Sequence, residues 1–195
     1  MRRLVLASNN PGKLREIEAL LAPLGIEVVP QSRLAIAEAE EPHDTFLENA
    51  LAKARHASRA SGLPALADDS GLCVDALGGA PGVHSAYYAG RAGSREERDA
   101  RNNARLLASL GDERRAHYAC VMALVKNADD AVPLIAEGIW RGEIARAPRG
   151  ANGFGYDPLF LLPARGVTAA ELAPEEKNRV SHRGRAATRL LELLR

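Results

Sequence analysis

The opening segment constrains the fold more than any other part of the chain. Arg3 to Ala7 is a short apolar run of strand type, and Asn9-Asn10-Pro11-Gly12 breaks it. Pro11 suits the first turn of a helix, where its missing N–H costs nothing, and Asn10 suits the cap before it. Leu14, Ile17, Leu20 and Leu21 then recur at helical spacing and predict an apolar stripe on a helix running to about Leu21. Gly25 ends the connection, and Ile26 to Val29 reads as the next strand. Strand, helix and strand in so short a stretch form a βαβ unit, which implies parallel neighbours and an α/β sheet.

The alternation continues. Arg33 to Asp44 carries several acids without periodicity and reads as a loop. Thr45-Phe46-Leu47-Glu48 has the spacing of a capping box and opens an alanine-rich helix ending near Gly62. Ala65 to Ala67 reads as a short strand running into Asp68-Asp69-Ser70-Gly71. Ser94 and Glu97 make a second capping box, ahead of a helix that Gly111 terminates. His117 to Val125 and Leu134 to Ile144 read as long antiparallel strands joined by a turn at Asn127 to Asp130. Beyond them come a glycine-rich loop at Gly150 to Pro158, a strand at Leu159 to Leu162, and one helical turn at Pro174 to Asn178. A closing helix to Leu194 follows, with Ser181 as its cap. With no repeat or composition break, residues 1–195 are expected to form a single domain, with room for two lobes.

A net charge of +1 supplies no global basic field for a nucleic-acid backbone, so no nucleic-acid partner is expected. A small phosphate ligand remains possible, because it needs only a few well-placed cations. Cys73 and Cys120 stand in no metal-ligand spacing and read as free thiols of a reducing compartment. No secretion-signal pattern opens the chain and no apolar stretch is long enough to cross a bilayer. A cytoplasmic protein with no membrane partner is therefore expected.

Several segments carry side chains suited to nucleotide chemistry, and each has a plainer reading beside it. Ser8-Asn9-Asn10-Pro11-Gly12-Lys13 falls at the carboxyl end of the first strand, where a helix N-terminus offers N–H donors to an anion. Leu14 stands where a Walker loop has Ser or Thr, so this is either another kind of phosphate cradle or a well-capped helix with a surface lysine. Thr45, Asn49 and Lys53 are four apart and share one helical stripe, from which Lys53 either enters a cleft or reaches water. Asp68-Asp69-Ser70-Gly71 is either a magnesium-binding strand end or an Asx turn. On a strand the two carboxylates point to opposite faces, so only one serves the site unless the chain turns. Glu40-Glu41 either adds a carboxylate to a metal or is simply solvated.

In Gly153-Phe154-Gly155-Tyr156-Asp157-Pro158, two glycines flank an aromatic ring and leave its face open to a nucleobase, or else the ring plugs a gap. Glu176-Lys177-Asn178 and Ser181-His182-Arg183 make either a donor cluster or a charged helix start. Hydrogen-bond donors suit the O6 acceptor of a 6-oxo purine and mismatch the 6-amino group of adenine.

These blocks occur in a particular order along the chain: Ser8 to Lys13, Thr45 to Ala54, Ala67 to Leu72, Gly79-Ala80-Pro81-Gly82-Val83, Gly153 to Pro158, Ala170-Glu171-Leu172, and Glu176 to Arg183. In that order, and over essentially the whole length, the chain resembles the inosine/xanthosine triphosphate pyrophosphatase family. The resemblance implies a two-lobed, mixed-sheet α/β fold with the nucleotide cleft between the lobes, and a homodimer. It implies magnesium (Mg2+)-dependent hydrolysis of ITP, dITP and XTP between the α and β phosphates. By position, Ser8, Asn10, Lys13 and Lys53 would hold the triphosphate, with Asn9, Pro11 and Gly12 completing the loop. Asp69 would be the general base and, with Glu41, the metal site. Ser70 would touch the substrate. Phe154 would stack on the base within the Gly155-Tyr156 loop, Asp157 would orient the pocket, and Lys177, His182 and Arg183 would read the 6-oxo edge. Members of the family often have Ser-Ala-Arg-Tyr where this chain has Ser85-Ala86-Tyr87-Tyr88, which passes any role of that arginine to a neighbour such as Arg91 or removes it. A house-cleaning enzyme for modified pyrimidines and a nucleotide-binding regulator are the rival expectations.

Overall fold

The computed structural model describes residues 3–194, apart from the side chains of Leu20 and Leu24. Local capping sets where the helices begin. Helix α1 (Pro11–Leu21) is capped by Asn10, whose Oδ1 accepts from the N–H groups of Gly12 and Lys13. Helix α2 (Phe46–Ser61) begins at Thr45, whose Oγ1 accepts from Glu48 N at 3.2 Å and donates to Glu48 Oε2 at 2.6 Å. Helix α3 (Arg95–Ala108) has the full reciprocal box between Ser94 and Glu97. Two further helices, α4 (Pro174–Val180) and α5 (His182–Leu193), complete the set. The stripe expected on α1 is present as buried Ile17 and Leu21 with partly buried Leu14, while Leu20 lies outside the described side chains.

The strands are β1 (Arg3–Leu6), β2 (Glu27–Pro30), β3 (Ala65–Val74), β4 (Arg115–Val125), β5 (Leu134–Ile144), β6 (Phe160–Leu162) and β7 (Val167–Thr168). They form one seven-stranded sheet in the order β2-β1-β3-β4-β5-β6-β7. The sheet is mixed. β1 runs parallel to β2 and to β3, with Val5 opposite Val29 and Ala65, whereas β6 is antiparallel to both β5 and β7. The βαβ expectation for the start of the chain therefore holds.

One boundary differs in a way that matters. β3 does not end at Ala67 but continues through Asp68-Asp69-Ser70-Gly71 to Val74. The strict alternation of a strand thus applies to the two aspartates, and no turn brings them to one face. Gln31–Leu34 forms a short 3-10 turn that overlaps only the start of the Arg33 to Asp44 segment read as loop, and β7 has no counterpart in the sequence pattern.

The chain divides into two compact units. The first holds the chain up to Asp69, Cys120–Gly138 and the chain from His182 on; the second holds Ser70–Ala119 and Ile139–Ser181. Each has its own core. In the first, Leu4, Leu6, Ile17, Leu66, Met122 and Leu190 gather α1, α5 and the sheet, while Ala50, Ala54 and Ala57 of α2 pack with Val5, Ala65 and Val121. In the second, Tyr118, Trp140 and Phe160 lie with ring centroids 4.6 to 6.4 Å apart amid Leu72, Leu106 and Ile144. No helix is long and apolar enough to cross a membrane among the described residues.

Candidate active site

In the first unit, α1, α2 and β3 deliver opposite charges to one place. The alanine face of α2 packs on the sheet and leaves Lys53 beside it. Lys53 Nζ lies 2.9 Å from Asp69 Oδ1 and 2.6 Å from Glu41 Oε1, with only about a tenth of its side chain exposed. Lys53 therefore enters the site, and Glu41 joins it from the irregular segment. Asp69 Oδ2 is buried without a hydrogen-bond partner among the described residues.

On the other face of β3, Asp68 is fully buried among cations. Its Oδ2 lies 3.2 Å from Lys13 Nζ, and it accepts from Arg183 Nε at 3.2 Å and Nη2 at 3.1 Å. Arg183 also pairs with Glu16 on α1. The two neighbouring aspartates thus have different charge environments, and their acidities part accordingly. For Asp69, burial is the largest influence and raises the carboxyl above its ordinary value, against the opposing charges of Lys53 and Lys13. For Asp68, burial also pulls upward, but the charges of Lys13, Arg183 and Lys53 outweigh it and hold the carboxyl well below the usual range. Lys53 is raised: burial pulls it down, yet Asp69 and then Glu41 more than compensate. Lys53 is shared, so it gains from two carboxylates while neither has it alone.

The loop after β1 forms a capped helix start. Ser8 is half-buried and its Oγ accepts from Asn10 N at 3.2 Å; Asn9 and Pro11 are exposed and Gly12 is buried. The Asn10 side chain is engaged in the cap, so the N–H groups of Gly12 and Lys13 already have an acceptor. The Lys13 ammonium supplies this loop's charge.

In the second unit, Asp157 Oδ2 accepts from Phe154 N at 2.8 Å and from Lys177 Nζ at 2.6 Å, with Asp157 and Lys177 both buried. Lys177 Nζ sits 4.8 Å from the centroid of the half-buried Phe154 ring. Gly153 has φ of +77°, and a Cβ there would collide with the Asp157 carboxylate, so the loop closes over that group only with glycine. Tyr156 belongs to the core, its hydroxyl donating to Ser85 O at 2.9 Å. Ser70 is half-buried in β3.

The donor cluster that the sequence suggests from Lys177 to Arg183 is divided. Lys177 lies in the second unit, whereas His182 and Arg183 open α5 in the first, both buried. Arg183 directs its guanidinium to Asp68 and Glu16 rather than presenting an exposed donor edge. Arg91 lies 4.2 Å from the Tyr87 centroid and Arg98 lies 5.6 Å from it, so the tyrosine standing at the family's arginine position gathers two cations.

Sequence reasoning missed Asp68 as a partner of Lys13 and missed Glu16 altogether. A signal existed for the second, since Glu16 stands three residues after Lys13 on the same helical face. The pairing of Asp68 with Arg183 spans 115 positions and left no local signal.

Geometry and chemistry together define an α/β protein in which strand β3 carries two ion-pair clusters, Lys53 with Asp69 and Glu41, and Lys13 with Asp68 and Arg183. The chain belongs to the Ham1 family, whose model matches residues 4–193. A dITP/XTP pyrophosphatase of Ralstonia nicotianae is 66% identical, the match covering 100% of this chain and 98% of that one. Another of that name, from Nitrosomonas europaea, is 61% identical over 100% of this chain and 95% of its own. Among solved structures, a HAM1 protein from Coxiella burnetii superposes with a TM-score of 0.91 at 49% identity, covering 100% and 98% of the two chains. A nucleoside-triphosphatase / dITP/XTP pyrophosphatase from Mycobacterium abscessus gives 0.74 at 46%, covering 99% and 100%.

Proposed function

We propose that this protein hydrolyses deaminated purine nucleoside triphosphates, dITP, ITP and XTP, to the monophosphate and pyrophosphate, removing them from the nucleotide pool. The observation that carries the reading is Asp69: a buried carboxylate held on one oxygen by Lys53, whose other oxygen has no hydrogen-bond partner among the described residues. Such a group is placed to accept a proton from water, which attacks the α-phosphorus as the bond to the bridging oxygen breaks. The relatives named dITP/XTP pyrophosphatase, alike over nearly their whole lengths, support the choice of substrate.

In this reading Lys13 and Lys53 bind the triphosphate and stabilise the negative charge that grows on leaving pyrophosphate. Ser8, Asn10 and the loop backbone at Asn9, Pro11 and Gly12 border the phosphates, and Ser70 contacts the substrate. Phe154 stacks on the base, an interaction of about 1–3 kcal/mol in single-strand binders. Lys177 donates to O6 from a position that Asp157 fixes, within the loop of Gly155 and Tyr156. His182 and Arg183 complete recognition, Arg183 by holding Asp68 and through it Lys13.

Magnesium is the cofactor of this proposal, with Asp69 and Glu41 as its protein ligands. The donor set fits: Asp69 Oδ2 is a hard oxygen with no hydrogen-bond partner among the described residues, and Glu41 keeps 40% of its side chain exposed. Among the described residues no three His, Cys, Asp or Glu side chains converge on one point. Magnesium needs only one or two carboxylates, water and substrate phosphate. When bound, it would neutralise phosphate charge and orient the scissile bond. A homodimer in the cytoplasm belongs to the same proposal, supported by the family resemblance and by two free cysteines suited to a reducing compartment.

The test is pyrophosphate release from ITP, XTP, dITP, GTP, ATP and dUTP with magnesium and again with EDTA. Magnesium-dependent turnover of the first three, with GTP and ATP far behind, supports the proposal. Binding without turnover would make the protein a nucleotide sensor.

A further inference from the structure

Helix α3 carries Arg95, Asp99 and Asn103 four residues apart, on one face. All three reach the loop that bears Phe154. Asn103 Nδ2 donates to Gly155 O at 2.9 Å, and Asp99 Oδ2 accepts from Gly155 N at 2.9 Å. Gly155, with φ of +63°, has no side chain to set the loop, and both polar groups of its backbone are taken by α3. Arg95 Nε lies 3.8 Å from the same Asp99 oxygen, and its guanidinium carbon sits 4.6 Å from the Phe154 centroid. The Phe154 ring is therefore held at its backbone by Asp157 and at the next residue by Asp99 and Asn103, with the Arg95 guanidinium carbon 4.6 Å and Lys177 Nζ 4.8 Å from its centroid.

We propose that Arg95 is a positioning residue for purine recognition, acting through Phe154, whose ring it holds in the orientation that receives the base. This rests on the reading of Phe154 as the stacking ring. The glycines on either side of Phe154 bring no side chains to bear on its ring, and each alternative rotamer must be given up when the base binds. A cation over the ring, itself restrained by an aspartate fixed to the loop backbone, removes that freedom beforehand. Arg95 has no contact with Lys13, Lys53 or Asp69 among the ion pairs of the described residues, so its effect is expected on binding more than on the chemical step.

Steady-state kinetics on dITP test this with Arg95→Ala, Arg95→Lys, Phe154→Ala and the Arg95→Ala/Phe154→Ala double variant. Loss of an exposed cation–π contact predicts a KM higher by about two- to fivefold in Arg95→Ala. The turnover number should change by less than the KM. Arg95→Lys, which keeps the charge over the ring, should recover most of the loss, and the double variant should have the KM of Phe154→Ala alone. A raised KM in Phe154→Ala with an unaltered one in Arg95→Ala would overturn the role of Arg95 and leave the stacking reading intact. An unaltered KM in Phe154→Ala would overturn both. Additive effects, or no rescue by lysine, would reduce Arg95 to a structural contact. If Arg95→Ala does not fold, Arg95→Gln, which keeps length without charge, carries the same comparison.

Discussion

Asp157 and Lys177 are joined by a 2.6 Å ion pair between buried side chains, and the carboxylate oxygen that takes the lysine also accepts the N–H of Phe154. One oxygen thereby couples the proposed base-stacking residue to the proposed base-reading one. Removing either charge leaves the other buried without that counter-ion, which in buried pairs costs about 3–5 kcal/mol. The pair thus belongs to both stability and specificity, and experiments must separate the two.

Lys177→Met keeps the length and apolar stem of the lysine and removes its charge. The preference for ITP over ATP, as the ratio of kcat/KM values, should fall about 10- to 100-fold, the range for a hydrogen bond to a charged group. Parallel pyrophosphate assays at equal enzyme concentration check this, with thermal unfolding of the variant as the folding control. An unchanged ratio would place O6 recognition elsewhere.

Asp69→Asn preserves shape and abolishes basicity. Turnover should drop by about 10²–10⁴-fold, as for a lost general base, while nucleotide binding stays measurable by calorimetry. In the wild type the reactive form is the carboxylate, and burial raises its pKa above the ordinary value. The protonated, inactive form therefore persists to higher pH than for an exposed aspartate. In the metal-free protein the Asp69 carboxyl should accordingly titrate above an exposed aspartate; near-normal turnover in Asp69→Asn would remove the assignment.

Arg183→Lys should be a poor substitute, because one guanidinium makes two contacts with Asp68 and another with Glu16. Arg183→Met, which leaves the carboxylate buried, should cost about 3–5 kcal/mol in denaturant unfolding. Asp68 also carries a pH signature. Its folded pKa is depressed below the unfolded value of about 3.9. Its contribution is fully present above the unfolded pKa and is lost as pH falls through the folded one. Wild type should lose this stability progressively as pH falls below about 4, and Asp68→Asn should flatten that part of the stability–pH curve.

Gly138→Ala tests close packing of β5 on α5. A Cβ there would collide with His182 O and Ala186 N, both backbone atoms that cannot swing aside. Overpacking of this kind typically costs about 1–3 kcal/mol. A lowered unfolding midpoint in the variant is expected; wild-type stability would mean that α5 shifts freely.

Much of this was legible along the chain, where cause and effect lie within a few residues. The Asn10 cap, the Ser94-Glu97 box, the limits of β5 and the parallel start follow from rules that act between near neighbours. So does the separation of Asp68 from Asp69 onto opposite faces, once both are known to lie in a strand. The family pattern added Lys53 and Glu41, which local reading left divided between site and solvent.

Tertiary structure decided the rest. β3 continues past Ala67, although Asp68-Asp69-Ser70-Gly71 by itself equally resembles a turn. Lys177 and Arg183, close in sequence, fall in different units. Arg183 meets Asp68 and Glu16, and α3 takes hold of the loop around Phe154. The physical reason is common to all of them. Caps and alternation depend on backbone geometry over one to four residues, whereas the partner of a buried charge depends on which distant segments the packed sheet and helices bring within ion-pair reach.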